Sequence, residues 1–427
     1  MDAVALPFQD PAAAFRRFAA RPYAMLLDSA ADAGGRGRYS TIAVDPAHVI
    51  EASGAGAFAA LERELAARHG GSGCAVGFLG YELAQGLERL PARHGNPGGL
   101  PDMVVGLYDT VAVFDHHERR AWAAGPDAGA LARRLAEPPP PAEPVTATAS
   151  WTPDLDRDTC MARVRRVIDY IFAGDIFQAN FTQRFTAPRP AGVSAYALYE
   201  RLRALSPAPF AAFLNCGPAL QIASASPERF LRLSADGRVE TRPIKGTRPR
   251  HADPAADRAA AEDLLASVKD RAENLMIVDL MRNDLARVSE VGSVKVPELA
   301  GLESFASVHH LVSEVTARLR PGLGPVDLLR AAFPGGSVTG APKVRAMEII
   351  DELEASRRGA YCGSVVRIGY DGSMDSSIVI RTLTITPDTV VAQAGGGIVA
   401  DSDPAAEWEE MLVKIRPLLA VLGGRIA

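Results

Sequence analysis

Four consecutive prolines inside EPPPPAEP, Glu137–Pro144, constrain this chain more than any other stretch. Proline fixes φ and lacks an N–H, so the run suits neither a helix nor a central strand and reads as an extended connector. The 427 residues then divide into a segment 1–136, a proline-rich connector 137–150 and a larger region 151–427. In the smaller segment, strands are expected over Tyr23–Asp28 and Tyr39–Val44 and a helix over Ala57–Arg68. A further strand pair is expected over Met103–Phe114 and Ala121–Ala124.

In the larger region, helical spacing runs from Asp156, an N-cap type, to Phe172. Asp236-Gly237 separates strands Phe230–Leu233 and Arg238–Thr241, and Asp371-Gly372 separates Val365–Tyr370 and Ser377–Thr386; both dipeptides signal hairpins. Helices are expected over Ala259–Val268, Ala272–Met281, Pro342–Glu354 and Asp403–Val421. Hairpins interleaved with helices point to antiparallel sheets carrying helices on their outer faces.

Composition narrows the function. With 48% hydrophobic and 23% charged residues, the chain is an ordinary globular one. A net charge of −5 argues against a nucleic-acid-binding body, and no apolar run is long enough for a membrane span. Cys74, Cys160, Cys216 and Cys362 form no CxxC pair, which disfavours a cysteine zinc site and fits a reducing compartment. With no signal pattern at the N-terminus, the expected location is cytoplasmic. Of 46 basic residues only Lys245, Lys269, Lys295, Lys343 and Lys414 are lysine. Coding bias accounts for the excess of arginine, yet a retained lysine can mark a place that needs a deprotonatable amine.

Chemistry gathers in a few stretches. Glu407, Glu410 and Lys414 share one face of the last helix, and Asp270 and Glu273 lie one turn apart on another. Two such acidic pairs are either a hard-oxygen supply for magnesium or solvated ion-pairing faces. Gly395-Gly396-Gly397 reads as a loop offering N–H groups to an anion, or as a tight turn. Pro334–Lys343, PGGSVTGAPK, enters a helix N-terminus in the manner of an anion site. Arg381, inside SSIVIRTL, reads as mid-strand and needs a carboxylate, from a ligand or from the protein. Lys245 in PIKGT follows an apolar strand end, where desolvation favours the free, nucleophilic amine.

From Thr152 onward the sequence resembles the chorismate-utilising enzymes, the family of anthranilate, aminodeoxychorismate, isochorismate and salicylate synthases. The strings are GDIFQANFTQRF, SASPERF, ETRPIKGTRPR, AENLMIVDLMRNDLARV, FPGGSVTGAPKVRAMEIIDELE, RGAYCGSVVRIGY, IVIRTL and AGGGIVADSDPAAEWEEMLVK. The resemblance implies an α+β fold of two large antiparallel β-sheets packed as a sandwich, with helices outside and the active site between. Segment 1–136 is expected to contribute strands to the same sheets, which would make the connector a surface crossing. The lysine of PIKGT resembles the aminodeoxychorismate synthase component I branch, whereas anthranilate synthases carry alanine there. It implies that Lys245 adds covalently to carbon 2 of chorismate as the carbon-4 hydroxyl departs, and that ammonia then adds at carbon 4 and expels the lysine from carbon 2.

By matching position, Glu228 resembles the acid–base group. Glu273 and Glu410 resemble magnesium (Mg2+) ligands, with Asp270 and Glu407 supporting them. Thr247, His310, Ser337, Tyr361, Arg381, Gly395, Gly397 and Lys414 resemble substrate contacts, while His309 is expected to be structural. Ser29, Ser40, Pro209, Phe210 and Ala211 resemble a tryptophan pocket. No glutamine amidotransferase or lyase region is evident, so a separate glutamine amidotransferase subunit is expected to supply ammonia. The alternatives are anthranilate synthase component I, or a non-catalytic subunit that binds chorismate or tryptophan.

Overall fold

The structure, a computed structural model, describes residues 3–31, 37–304 and 308–426. It contains a 13-stranded and a 10-stranded sheet. Neighbouring strands are antiparallel except Ser150–Pro153 beside Arg425–Ile426. Phe78, Tyr108, Leu214 and Ile222 belong to the core between the sheets. Val164, Leu198 and Ile415, from helices Arg157–Phe172, Ala195–Leu205 and Pro404–Leu419, cover the outer face of the larger sheet. Ile277 and Leu328, from helices Val268–Ala286 and Pro325–Ala332, cover that of the smaller one. Each sheet buries both faces, which makes this a sandwich with helices outside.

Residues on either side of the proline run share these sheets. Met25–Asp28 pairs with Phe210–Asn215, and Cys74–Leu79 pairs with Ser364–Gly369. The run itself lies on the surface, where Arg17 donates to the carbonyls of Glu137 and Pro138 and Arg16 to that of Pro140.

Both Asp-Gly hairpins form, with Gly237 at φ 86° and Gly372 at φ 85°, in the left-handed region that glycine enters without strain. Asp156 caps its helix by accepting from the Thr159 N–H at 2.7 Å. Two apolar runs that read as single strands are each two. Met103–Phe114 splits into Met103–Tyr108 in the smaller sheet and Val111–Asp115 in the larger. Ser377–Thr386 likewise divides between Met374–Ile378 and Thr382–Ile385, which lie in different sheets. Arg381 is therefore not mid-strand. It sits in the crossing at φ 54°, a left-handed conformation uncommon for a side-chain-bearing residue. The helices expected over Ala259–Val268 and Ala272–Met281 are Pro254–Ala266 and Val268–Ala286, the second entered through Ser267, whose hydroxyl accepts from the Asp270 N–H at 3.2 Å.

Candidate active site

Lys245 lies on strand Ile244–Pro249, opposite Leu311, and the register slips between it and Thr247. The bulge is centred on Gly246 at φ 83°, where a Cβ would stand 3.0 Å from the Asp270 Cβ. This close approach seats the Val268–Ala286 helix beside the lysine. Lys245 is half-buried, and its charge acts on Glu228, Glu273 and Glu410. Thr247 pairs directly with His310, and its Oγ1 lies 2.8 Å from the ring Nδ1. His309 is held structurally, between Ser304 at 2.7 Å and Asp257 at 3.1 Å.

Glu228 is 6% exposed. Burial raises its carboxyl from 4.5 to about 7, against a lowering pull from the Ser337 hydroxyl and Lys245. It therefore holds a proton near neutrality, beside an amine and a hydroxyl. Its backbone is fixed through Ser226, whose Oγ accepts the Glu228 N–H at 3.3 Å and donates to the Ile378 carbonyl at 2.5 Å. Ser337 is presented by the turn before helix Lys343–Leu353. In that turn Lys343 donates to Asp284 at 2.7 Å and to the carbonyls of Ala332 and Pro334 at 2.8 and 2.9 Å. Lys343 thus braces the turn, and the hydroxyl of Ser337 is what the turn delivers to the site.

The triglycine stretch is strand rather than loop. Thr389–Ile398 runs through it, with Gly395, Gly396 and Gly397 opposite Thr182, Phe181 and Asn180. Glycine is required because a Cβ on Gly395 would fall 2.0 Å from the Phe181 carbonyl oxygen. The strand on its other side, Thr382–Ile385, pairs only as far as Ala392. Beyond that point one flank of the glycines has no strand partner. Lys414 reaches this flank, donating to the Gly395 carbonyl at 3.0 Å and pairing with Glu410 at 2.5 Å. Arg381 donates to the Lys414 carbonyl. Burial lowers its guanidinium, while the neighbouring Tyr361 and Glu410 oppose that shift. Burial also raises the Tyr361 phenol well above its ordinary value. The turn bearing Tyr361 is held by buried Arg358, which bonds Glu354 and the carbonyls of Val338 and Asn180.

The four acidic positions come from two helices that face one another across the site. Burial raises the Glu273 carboxyl, with Lys245 and Lys269 opposing the shift and Asp270 and Glu407 adding to it. Glu407 is buried, accepts from Ser402 at 2.7 Å and lies 3.6 Å from Lys269. Among the described residues no three His, Cys, Asp or Glu side chains gather into a metal cage. This oxygen-only set fits a hydrated hard cation shared with an anionic ligand, the mode magnesium favours.

Ser29, Pro209, Phe210 and Ala211 line a separate cleft of about 920 Å³ between the sheets. Ser40 stands behind that wall, fully buried, accepting from the Ser29 N–H at 2.9 Å and donating to Asp28 at 3.3 Å.

Motif reading passed over two groups at the site. Lys269 was marked only by the scarcity of lysine. Gln178, inside GDIFQANF, carries no local signal for its burial against Gly397.

The chorismate binding enzyme model matches residues 15–420. Aminodeoxychorismate synthase component 1 of Klebsiella aerogenes is 49% identical over 349 residues, 81% of this chain and 76% of that protein. Anthranilate synthase component 1 of Streptomyces coelicolor is 42% identical over 432 residues, 93% of this chain and 83% of that protein. The crystal structure of anthranilate synthase component I from Streptococcus pneumoniae superposes with a TM-score of 0.79 at 31% identity, covering 90% of this chain and 92% of that one. With the family model spanning almost the whole chain and a sandwich that keeps Lys245, Glu228 and the glycine strand around one site, the chain belongs to the chorismate-binding enzymes.

Proposed function

We propose that the chain is the chorismate-aminating component of an aminodeoxychorismate synthase, converting chorismate and ammonia to 4-amino-4-deoxychorismate for 4-aminobenzoate and folate biosynthesis. The observation that carries this reading is Lys245, an amine on a strand bulge beside the buried carboxyl of Glu228. Relatives bearing the aminodeoxychorismate synthase component 1 name, at 46% to 49% identity, support it.

The free amine of Lys245 attacks carbon 2, the ring double bonds shift, and the carbon–oxygen bond at carbon 4 breaks. The hydroxyl leaves as water with the proton of Glu228. Ammonia then adds at carbon 4, the double bonds shift back, and Lys245 departs as a neutral amine. Glu228 recovers a proton from the new ammonium. Tyr361, Arg381, Gly395, Gly397 and Lys414 take the carboxylates, with Thr247, His310 and Ser337 around the ring. Magnesium, when bound, would offset carboxylate charge; Glu273 and Glu410 would hold it, with Asp270 and Glu407 in support.

The component 1 naming of the relatives supports a second component, and we assign it as a glutamine amidotransferase subunit that supplies ammonia. Four buried free cysteines accord with a cytoplasmic setting. No described helix is long and apolar enough to cross a membrane. Tryptophan is the ligand we assign to the separate cleft.

The test is product identification. Purified protein with chorismate, magnesium and ammonia should yield an amino-substituted chorismate that retains its enolpyruvyl group, read by mass spectrometry. The anthranilate synthase reading draws on the Streptomyces coelicolor relative, which aligns over 93% of the chain. Anthranilate with released pyruvate would establish it instead.

A further inference from the structure

The cleft of about 920 Å³ has two unlike walls. The wall from the larger sheet is mainly apolar: Leu27, Thr41, Val113 and Trp122 are cross-strand neighbours in that order, and all four line the cleft. The wall from the smaller sheet is charged. There Arg232 and Arg367 flank Asp375, each directly opposite it on a neighbouring strand. Directly opposed residues share a face, and with strands about 4.8 Å apart the two arginines stand roughly 10 Å apart at the backbone. Both line the cleft, Arg232 exposed and Arg367 half-buried.

The carboxylates beside these arginines are already taken. Buried Arg229 donates to Asp375 from Nε at 3.0 Å and from Nη2 at 3.1 Å. Its Nη1 donates at 3.0 Å to Glu240, the residue opposite Arg232 on the other side. Asp28, on the facing wall, is bound by Arg203 at 2.5 Å and Tyr199 at 2.8 Å. Asp371, within reach of the Arg367 charge, accepts from the N–H and hydroxyl of Ser373 at 3.0 and 2.6 Å. The Arg367 guanidinium also meets the Cys74 thiol. Among the described residues neither Arg232 nor Arg367 forms a salt bridge. Two such guanidiniums, facing an apolar wall across an open cleft, suit an anion with an apolar body.

We infer that this wall is a second binding site of the cleft, for an aromatic carboxylate. The ring lies against Val113 and Trp122, and the carboxylate accepts from Arg232 and Arg367. The site is distinct from Ser29, Pro209, Phe210 and Ala211, to which tryptophan is assigned, and it does not rest on the chemistry proposed for Lys245.

Isothermal titration with 4-aminobenzoate tests it, set beside 4-aminobenzamide, a neutral molecule of nearly the same shape. The wild type should bind the acid at least about 10-fold more tightly than the amide, because only the acid makes charge-assisted bonds to the guanidiniums. That preference should vanish when Arg232→Gln and Arg367→Gln are combined, with the Tm of the free protein close to wild type, since no salt bridge is lost. Trp122→Ala should weaken acid and amide alike, by about 10-fold. L-tryptophan should raise the Tm of the double arginine variant as it does that of the wild type. Equal binding of acid and amide, or no binding of the acid, would overturn the inference. A preference for the acid that survives the double variant would overturn it too, placing the anion elsewhere, the catalytic site included. Loss of the tryptophan effect in the double variant would make the arginines part of the tryptophan pocket and remove the second site. Inorganic phosphate binding as tightly as the acid would overturn the aromatic ligand class. A wild type that binds the acid and ignores tryptophan would defeat the tryptophan assignment and support this site.

Discussion

The space between the sheets holds two charged regions, and they use different cations. At the catalytic end Lys245, Lys269 and Lys414 act on Glu273, Glu407 and Glu410. The cleft at the other end is lined by Arg38, Arg229, Arg232 and Arg367, with Asp28, Asp371 and Asp375. Two of these arginines are locked: Arg229 spans Asp375 and Glu240, each at 3.0 Å, and Arg38 binds Asp115 at 2.7 Å. A guanidinium fork holds geometry and keeps its proton, whereas an ammonium is a point charge that can change partners or act as a free amine. In a chain with only five lysines, three at one site mark where charge must be exchangeable.

Lys245→Arg probes that contrast hardest, because it keeps the charge and removes the nucleophile. Aminodeoxychorismate formation should fall by about 10⁴-fold or more, as for removal of other covalent nucleophiles. Arg367→Lys in the cleft should leave turnover unchanged. Near-wild-type product from Lys245→Arg, measured by mass spectrometry, would mean that the lysine is not covalent and that the contrast is only coding bias.

Glu228→Gln should cost about 10²- to 10⁴-fold in kcat. Wild-type activity should decline as pH rises through about 7, where Glu228 loses the proton it donates, and the variant should lack that limb. Stability follows the same sign. The folded value lies above the unfolded 4.5, so the contribution of the neutral acid is complete below about 4.5 and is lost as pH rises through about 7. Equal Tm differences between wild type and variant at pH 4.5 and pH 8 would contradict the burial of this acid.

Glu410→Gln should weaken magnesium binding by roughly 10- to 100-fold, an effect below that of losing the nucleophile. Isothermal titration with magnesium alone reads it without turnover, and an unchanged isotherm would move the ion away from Glu410.

Much of this chemistry was legible in the sequence because each group sits in a short contiguous string. Glu407, Glu410 and Lys414 share a helix face at any tertiary arrangement, so spacing sufficed. The sheet crossings were not legible. An apolar run such as Met103–Phe114 has the same alternation whether it is one strand or two, and the break at Asp109-Thr110 depends on which sheet each half meets. Arg381 was misplaced for the same reason, since no glycine announces its left-handed turn. The triglycine looked like a loop because glycine lacks strand propensity. Its reason for being strand, the backbone of Phe181 pressed against Gly395, comes from a residue more than two hundred positions away. Gln178 was invisible because its burial against Gly397 exists only once both strands are built.

The smallest expected effect belongs to the cleft, and it bears on the comparison from the other side. If fixed arginines mark a place that binds without reacting, a ligand there should change stability and not chemistry. L-tryptophan at about 100 times its Kd should stabilise the fold by about 2.7 kcal/mol, a rise in Tm of a few degrees. Phe210→Ala should abolish the rise, because Phe210 stacks on Arg229, 5.1 Å from its ring centre, and lines the pocket. Turnover of that variant without tryptophan should stay close to wild type. A Tm rise that survives Phe210→Ala would put tryptophan elsewhere. Turnover that falls with Phe210→Ala would show instead that the two regions are coupled through the shared sheets, and the division between an exchangeable and a fixed set of cations would no longer describe how the molecule works.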